Sequence, residues 1–595
     1  MTTPSPETGT TAASVGVEQV PVLIIGSGPA GLTAALTLAR LGVRSIVVTR
    51  YAGLAHTPRA HITNQRTQEI LTDLGVEDRI REVGRVLETT PYNVWMMSMD
   101  GPEVTRTTAW GGGVGDQARY RAASRHVPVN LFQNRLEPIL ADAAVATGMV
   151  DLRFGHEFLE LEQDGYGVNA TILERHSERR YTVRAQYLLG ADGAKSRVLK
   201  QIGLSVRGET DLANNAFAWI TADLSRFVAH RPGALYWAVD DDYATWISVD
   251  GFHEWIAGWS VPQGHTPTRD EVMEHVRRSI GDPLVDIEIK HISTWSINHA
   301  AADQYSVGRV FCMGDAVHQH PPANGLGSNT SIADAYNLAW KLHLVLTDVA
   351  APALLDTYSS ERAPVGRQVV DRAFASIGRI FSLGPALGLR PDMTTAEKWA
   401  VVHRLGEDSE EGRALRAAVD AFHDTMDFSF NALDVEVGYR YAIEGSDTET
   451  TPTDPDGVMY VPSTEPGSHL PHVWVECSRR RVSTVDLVGH GKFTVIVGRS
   501  GAGWLPAVDR IRAIHGLSVV VQIIGSSNGF RDPMGDWERV RGVDDDGCLL
   551  VRPDGHVAWR AVSGYDTDAL VDAVSRALGT VPARSSEPTP QLLSH

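Results

Sequence analysis

The chain has 595 residues, with 54 Lys plus Arg against 73 Asp plus Glu and a formal net charge of −19. Such acidity argues against a nucleic-acid or anionic-membrane partner, because neither would gain counterion release from this surface. With 43% hydrophobic and 21% charged residues the chain is not disordered as a whole, and its length suggests roughly three or four domains. Three scattered cysteines, Cys312, Cys477 and Cys548, are too few for a disulfide framework or a zinc site. No metal is therefore expected, and a reducing cytoplasm is the expected compartment.

Residues 1–19 hold neither a basic nor an apolar targeting region and read as a disordered leader. Pro21–Ile25 is a short apolar run of the buried-strand kind. It leads into Gly26-Ser27-Gly28-Pro29-Ala30-Gly31, then a helical pattern to Arg40, then a second apolar run at Ser45–Val48. Strand, glycine turn, helix and strand form the context in which G-x-G-x-x-G signals dinucleotide binding. Gly26 allows the turn, Gly28 lets a pyrophosphate reach helix N–H groups, and Gly31 allows helix and strand to pack closely. The second strand should then end in Asp or Glu, to hold the adenosine ribose. It ends instead in Thr49-Arg50-Tyr51, and Arg50 would suit a 2′-phosphate, so this motif leaves FAD and NADP open. No stretch is long and apolar enough for a membrane span, since Val20–Val43 is interrupted by glycines, Pro29 and Arg40.

Further along, His56–Gly75 carries Arg59 and His61, and Phe132–Leu140 carries Gln133. Tyr187–Arg197 is an apolar strand ending in Asp192-Gly193. Residues 206–291 alternate aromatic and small side chains around Trp219 and Trp246, as an antiparallel sheet facing a ligand would. Gly308–Thr330 then contains Gly314-Asp315, His318, His320, Pro321, Pro322 and Gly325-Leu326-Gly327-Ser328-Asn329, followed by a helix from Ser331. A helical stretch spans about Thr394 to Ala432. Candidate strands follow at Lys492–Gly498, Leu517–Ile524 and on both sides of a Pro553-Asp554-Gly555 turn. Residues 583–595 read as a tail.

Together the glycine turn, Asp192-Gly193 and the Gly314–Thr330 segment resemble the three-part signature of the single-component flavoprotein aromatic hydroxylases, the p-hydroxybenzoate hydroxylase-like superfamily. The resemblance implies a mixed α/β fold. A discontinuous Rossmann-like FAD-binding domain (20–205 and 292–390) would carry an inserted antiparallel substrate-binding sheet (206–291). A helical linker (391–455) and a thioredoxin-like domain lacking Cys-x-x-Cys (456–582) would follow. It implies FAD as cofactor and NADPH or NADH as electron donor. Asp315 would accept a bond from a ribityl hydroxyl, Gln133 and Arg59 would touch the cofactor, and Asp192 with Gly193 would serve FAD and the nicotinamide cofactor. Thr49 or Arg50 would replace the ribose acid, and Pro322 to Asn329 would pass the isoalloxazine ring.

The His56–Gly75 run and His318-Gln-His320-Pro321-Pro322 resemble the phenol and chlorophenol hydroxylase branch in particular. The hydroxylases of polyketide antibiotic biosynthesis are close competitors. On this resemblance O2 forms a flavin C4a-hydroperoxide that hydroxylates a phenolic ring ortho to its hydroxyl. A phenol of pKa about 10 is only about 0.1% ionised at pH 7, so a base is called for. His61 stands where the yeast-type enzyme carries an acid, and is the candidate base or else a structural histidine. His320 is a second catalytic candidate; His318, Pro321, Trp219 and Trp246 are substrate-side candidates. The family also implies a homodimer. Readings of other classes are an FAD-dependent reductase or dehydrogenase and a non-enzymatic flavin-binding module. A halogenase would need a Trp-x-Trp-x-Ile-Pro signature that this sequence lacks.

Overall fold

The computed structural model describes residues 17–240, 244–443, 454–526 and 529–580. Residues 1–16 of the expected leader and the expected tail at 583–595 lie outside the described residues. The first strand, Glu18–Ile25, begins inside the segment read as leader. Glu18, Gln19 and Val20 pair in parallel with Val183, Arg184 and Ala185, and this long-range pairing has no local signal in the sequence.

The first sheet runs in the order Ser306–Val307, Val310–Cys312, Arg179–Gly190, Glu18–Ile25, Ser45–Thr49 and Val150–Phe154. Five neighbouring strands, from Val310–Cys312 to Val150–Phe154, are parallel. Val22–Ile25, Ser45–Thr49, Tyr187–Gly190 and Val310–Cys312 are buried beneath the helix Pro29–Arg40, which itself packs against the helices Gln133–Ala146 and Gly327–Leu346. The parallel arrangement brings the ends of three strands to one edge. The glycine turn, Asp192-Gly193 and Gly314-Asp315 all lie there, where open α/β sheets bind ligands.

The second sheet also has eight strands, and its membership corrects the expected boundary of 206–291. Tyr92–Met96 and Glu103–Thr108 belong to it, and its strand Glu288–Ala301 runs beyond residue 291. The chain visits this sheet twice, with Gly233–Ala238 pairing in parallel to Tyr92–Met96; a local pattern cannot announce that partnership. Period-two alternation then sorts the side chains. One face buries Ala218, Ile220, Trp246, Trp255 and Ala257 under Val272, Val276 and Ile280 of the helix Arg269–Ile280. The opposite face carries Phe217, Ile247 and Ile256 against Phe132. Trp95 and Trp237 stack there at 4.5 Å between ring centres.

The stretch expected as a helical linker closes that second face. Phe422, Met426 and Phe430 of the helix Glu410–Phe430 pack onto Trp95 and Trp237, each burial contributing about 1.5–3 kcal/mol. It is a wall of the cleft, because its apolar side chains repeat at helical spacing toward the sheet.

In the C-terminal domain the order is Val519–Ile523, Phe493–Val497, Cys548–Val551, Val557–Ala561, the first pair parallel and the others antiparallel. Helices Leu505–His515 and Thr567–Ala577 pack on each other, giving a thioredoxin-like βαβ–ββα arrangement. The turn joining the last two strands plugs into the FAD-binding region. Asp554 accepts from Asn337 Nδ2 (3.2 Å) and Trp340 Nε1 (3.3 Å), and Arg552 makes a two-pronged bond to Glu361 (2.7 and 2.8 Å). Lys341 Nζ lies 2.8 Å from Glu361. Burial pushes the Glu361 carboxyl up, but Arg552 and Lys341 outweigh it and hold its pKa at about 2.

Candidate active site

The cofactor edge is shaped by backbone. A Cβ on Gly26, at φ +112°, would lie 2.1 Å from the Ala191 carbonyl oxygen, and one on Gly31 would lie 2.0 Å from the Gly26 carbonyl oxygen. A Cβ on Gly28 would meet nothing within 4 Å. The first and third glycines therefore let the turn pack, and the second faces open space. Helix Pro29–Arg40 starts there with no side-chain cap and no acidic residue in its first turn. Its first N–H groups, which have no intrahelical acceptor, are thus available to an anion. Gly314 packs against Ala30 and Ser331, and Asp315 beside it is exposed. A dinucleotide pyrophosphate fits this cradle.

Around it, Gln133 opens its helix and donates to Glu137 (2.6 Å), whose other oxygen accepts from the Ala55 N–H (2.7 Å). Thr49 ends its strand buried. Arg50 is exposed and donates to the Tyr51 hydroxyl (3.0 Å). Arg59 is exposed, and Gly193 has φ +79°.

His61 lies where this edge meets the second sheet. Two very short pairings place it: Asn130 lies opposite Ile62 on one side and Arg85 on the other. The half-buried imidazole stacks on Phe132 (5.2 Å) and stands edge-on to Trp110 (6.4 Å). Its Nδ1 is 3.2 Å from Asn130 Oδ1, and the Asn130 amide donates to the Ser248 carbonyl (3.3 Å). Loss of hydration and the nearby Arg85 charge lower the His61 pKa to about 4 against the Asn130 bond, so the ring is neutral at pH 7. The loop carrying Gly325 presses onto Ile62, where a Cβ at φ +69° would stand 2.6 Å from the isoleucine Cβ. That loop is tied to the helical wall by Asn324, whose amide donates to the carbonyls of Phe428 (3.0 Å) and Ser429 (2.8 Å).

Comparison with known proteins identifies the assembly. A family model described as an FAD binding domain matches residues 19–373, and one for the aromatic-ring hydroxylase C-terminal domain matches residues 463–581. The chain belongs to the FAD-dependent aromatic-ring hydroxylases. This hydroxylase is 40% identical to a 2,4-dichlorophenol 6-monooxygenase of Delftia acidovorans, over 94% of this chain and 98% of that protein. It is 38% identical to a phenol 2-monooxygenase of Pseudomonas sp. strain EST1001, over 95% and 94%. Among solved structures, the flavin-dependent monooxygenase PieE in complex with FAD and substrate matches with TM-score 0.92 and 45% identity, covering 95% of this chain and 99% of that one.

Several residues expected at the hydroxylase site are engaged elsewhere. His318 is fully buried, its Nε2 2.9 Å from Asp334, which also bonds Arg362 (2.7 Å) and the Gly314 N–H (3.1 Å). It braces the Gly314 turn from inside instead of facing substrate. Trp246 donates to Ser279 (2.7 Å) beneath the covering helix, on the sheet face away from the cleft. Trp219 lies on the other face but at its border, with the Lys290 ammonium 4.9 Å over its ring. The Asn329 side chain bonds the Asn64 N–H and the Ile62 and Gly325 carbonyls, so it stitches the loop to His61's strand. Asp192 caps the helix Arg197–Gln201, accepting from Ser196 Oγ and two backbone N–H groups.

Of the remainder, Pro322 is exposed, Leu326 is buried with Val369 and Val435, and Gly327 and Ser328 open the long helix. Pro321 is buried, and its carbonyl accepts from the Ala323 N–H. His320 Nδ1 is 2.7 Å from that same carbonyl, and its ring lies against Gly327. Burial lowers the His320 pKa. Sequence reasoning missed Arg85, Trp110 and Asn130. Arg85 and Asn130 sit in two-residue strands, too short to show periodicity.

Proposed function

We propose that this enzyme hydroxylates a phenol or chlorophenol ortho to its hydroxyl group, consuming O2 and NADPH or NADH. The observation that carries this reading is His61, a neutral imidazole anchored by Asn130, set among Phe132 and Trp110, and followed by Ile62, onto which the Gly325 loop presses. The names of the 38–40% identical relatives support the substrate class. Bound FAD would supply the oxygen in electrophilic form. Gly26 to Gly31 would hold its pyrophosphate, with Thr49, Arg50 and Arg59 toward the adenosine end. Asp315 and Gln133 would hold the ribityl chain, and the backbone from Pro322 to Ser328 would carry the ring. A cytoplasmic homodimer completes the reading, supported by the family resemblance and tested by light scattering of the purified protein.

Because Nδ1–H donates to Asn130, the Nε2 lone pair of His61 is the acceptor offered to a phenolic O–H. Complete transfer from a phenol of pKa about 10 to a base of pKa about 4 is uphill by about 8 kcal/mol. His61 therefore orients the phenol and takes its proton as oxygen attack makes the ring more acidic, a role worth about 10²–10⁴ in rate. His320, with Nδ1 at the Pro321 carbonyl and its ring against Gly327, is the second candidate on the loop.

The test is oxygen uptake and NAD(P)H oxidation across phenol, 2,4-dichlorophenol, resorcinol and a polycyclic naphthol, with product masses. One ring should stimulate both and gain one oxygen atom; stimulation by none would sink the phenolic assignment. His61→Ala should keep its flavin while hydroxylation falls about 10²-fold or more. A second reading, oxidation of a polycyclic polyketide, draws on the broad aromatic wall and on a 28% identical aklavinone-11 hydroxylase. The naphthol arm separates the two.

A further inference from the structure

Against the first turns of the helix Gly327–Leu346 lies a chamber of about 20 Å³, lined among others by Asn64, Arg66, Leu326, Arg362, Glu436 and Tyr439. All of its lining residues are buried. Glu436, in the short helix Leu433–Glu436, is only 2% exposed, and neither of its carboxyl oxygens has a hydrogen-bond partner. Arg66 Nε is unpartnered in the same way. A space of about 10–15 Å³ with two or more polar partners is enough for one water.

The cations nearby bond other acceptors through their remaining nitrogens, although Arg372 Nε, like Arg66 Nε, is unpartnered. Arg66 bonds Glu69 and the Asp554 carbonyl, Arg362 bonds Asp334, and Arg372 bonds the carbonyls of Asp456 and Phe428. Tyr439 from the following segment and Tyr120 from the helix Val114–Ala123 complete the titratable groups facing Glu436.

We propose that this chamber is an internal hydration site, in which Glu436 is carried as the neutral acid and holds one water between its carboxyl and Arg66 Nε. The water site seats the loop that leads into the helix Gly327–Leu346, since Leu326, Asn329 and Thr330 form its other side. Burial raises the Glu436 pKa to about 8, only partly opposed by Arg372. A raised acid means that the folded protein keeps a proton the unfolded chain releases near 4.5. Stability from this group is therefore full at low pH and declines as pH rises from 4.5 through about 8.

The experiment uses the full-length protein with FAD, as wild type and as Glu436→Gln. Infrared spectra at about pH 7 should show a protonated-carboxyl band in the wild type that Glu436→Gln lacks. Melting temperature should fall by several degrees in the wild type as pH rises from about 4.5 to about 8 and level off above it, and this fall should be smaller in the Gln variant. Identical spectra, or parallel melting curves, would overturn the proposal. Should the Gln variant not fold, titrating the wild-type band decides: loss of the band near pH 8 supports the site, and no protonated band at pH 7 refutes it. Neither readout needs turnover, so failure of the phenol assignment leaves this result distinguishable.

Discussion

At the cofactor edge the backbone of the glycine turn shapes the site, whereas the aromatic face of the second sheet, the proposed substrate face, is made of side chains delivered from separated segments of the chain. The first region centres on one short turn, in which a Cβ added at Gly26 or Gly31 would come within about 2 Å of a carbonyl oxygen, of Ala191 and of Gly26 respectively. The second combines Arg85, Asn130, Phe132, Phe217, Trp237 and Phe430, none adjacent to the motif that names the family. A site made of backbone tolerates almost no substitution, and one made of side chains can be retuned residue by residue. This contrast explains how one FAD cradle serves relatives named for different aromatic substrates.

The contrast can be broken most severely at Gly31. Gly31→Val should yield colourless or insoluble protein, because the new Cβ would overlap the Gly26 carbonyl; flavin absorbance of the soluble fraction measures it. A yellow, stable variant would mean that the turn is softer than its geometry. Next in size is Glu361→Ala, which leaves Lys341 without its carboxylate and Arg552 with Asp554 alone, and should cost about 3–5 kcal/mol in chemical denaturation. The folded pKa of Glu361 is depressed, so its contribution is present above about 4.5 and is lost as pH falls toward about 2. The variant should accordingly show a shallower acid limb than the wild type.

On the substrate face smaller changes sharpen the comparison. Asn130→Asp places a carboxylate on His61 Nδ1 and should raise the imidazole pKa from about 4. The acid limb of kcat/KM against pH should move upward with flavin content unchanged; an unmoved limb would separate His61 from the proton transfer. Trp246→Phe, on the covered side of the sheet, should leave kcat and KM within about twofold and cost about 1 kcal/mol of stability through the lost bond to Ser279.

The same division governs what the amino-acid sequence discloses. Glycine turns, Asp-Gly pairs and apolar runs are contiguous, so the parallel sheet, the cofactor edge and the C-terminal strands can be read directly. The membership of Tyr92–Met96 in the second sheet, and the role of the helix Glu410–Phe430 as a wall, depend on contacts between distant segments. His318 and Trp246 show the limit for single residues. Both lie in segments expected from the sequence to form the site, yet strand alternation or a buried acid turns each side chain away. Period-two patterns give two faces without saying which one meets the ligand.

The Pro553-Asp554-Gly555 turn bears on how such enzymes can be recombined. Its flanking Arg552 and Asp554 complete a buried set of charges with Lys341 and Glu361, contributed by the other side of the molecule. A chimaera joined between the helical wall and the C-terminal domain inherits half of that set from each parent. Unless both parents carry the matching residues, the junction leaves desolvated charges without partners, a cost that no surface adjustment can recover. Exchanging segments of the second sheet alone, with the helices Gly327–Leu346 and Thr357–Ile380, which carry Lys341 and Glu361, and the hairpin of Arg552 and Asp554 kept from one parent, is the division this architecture permits.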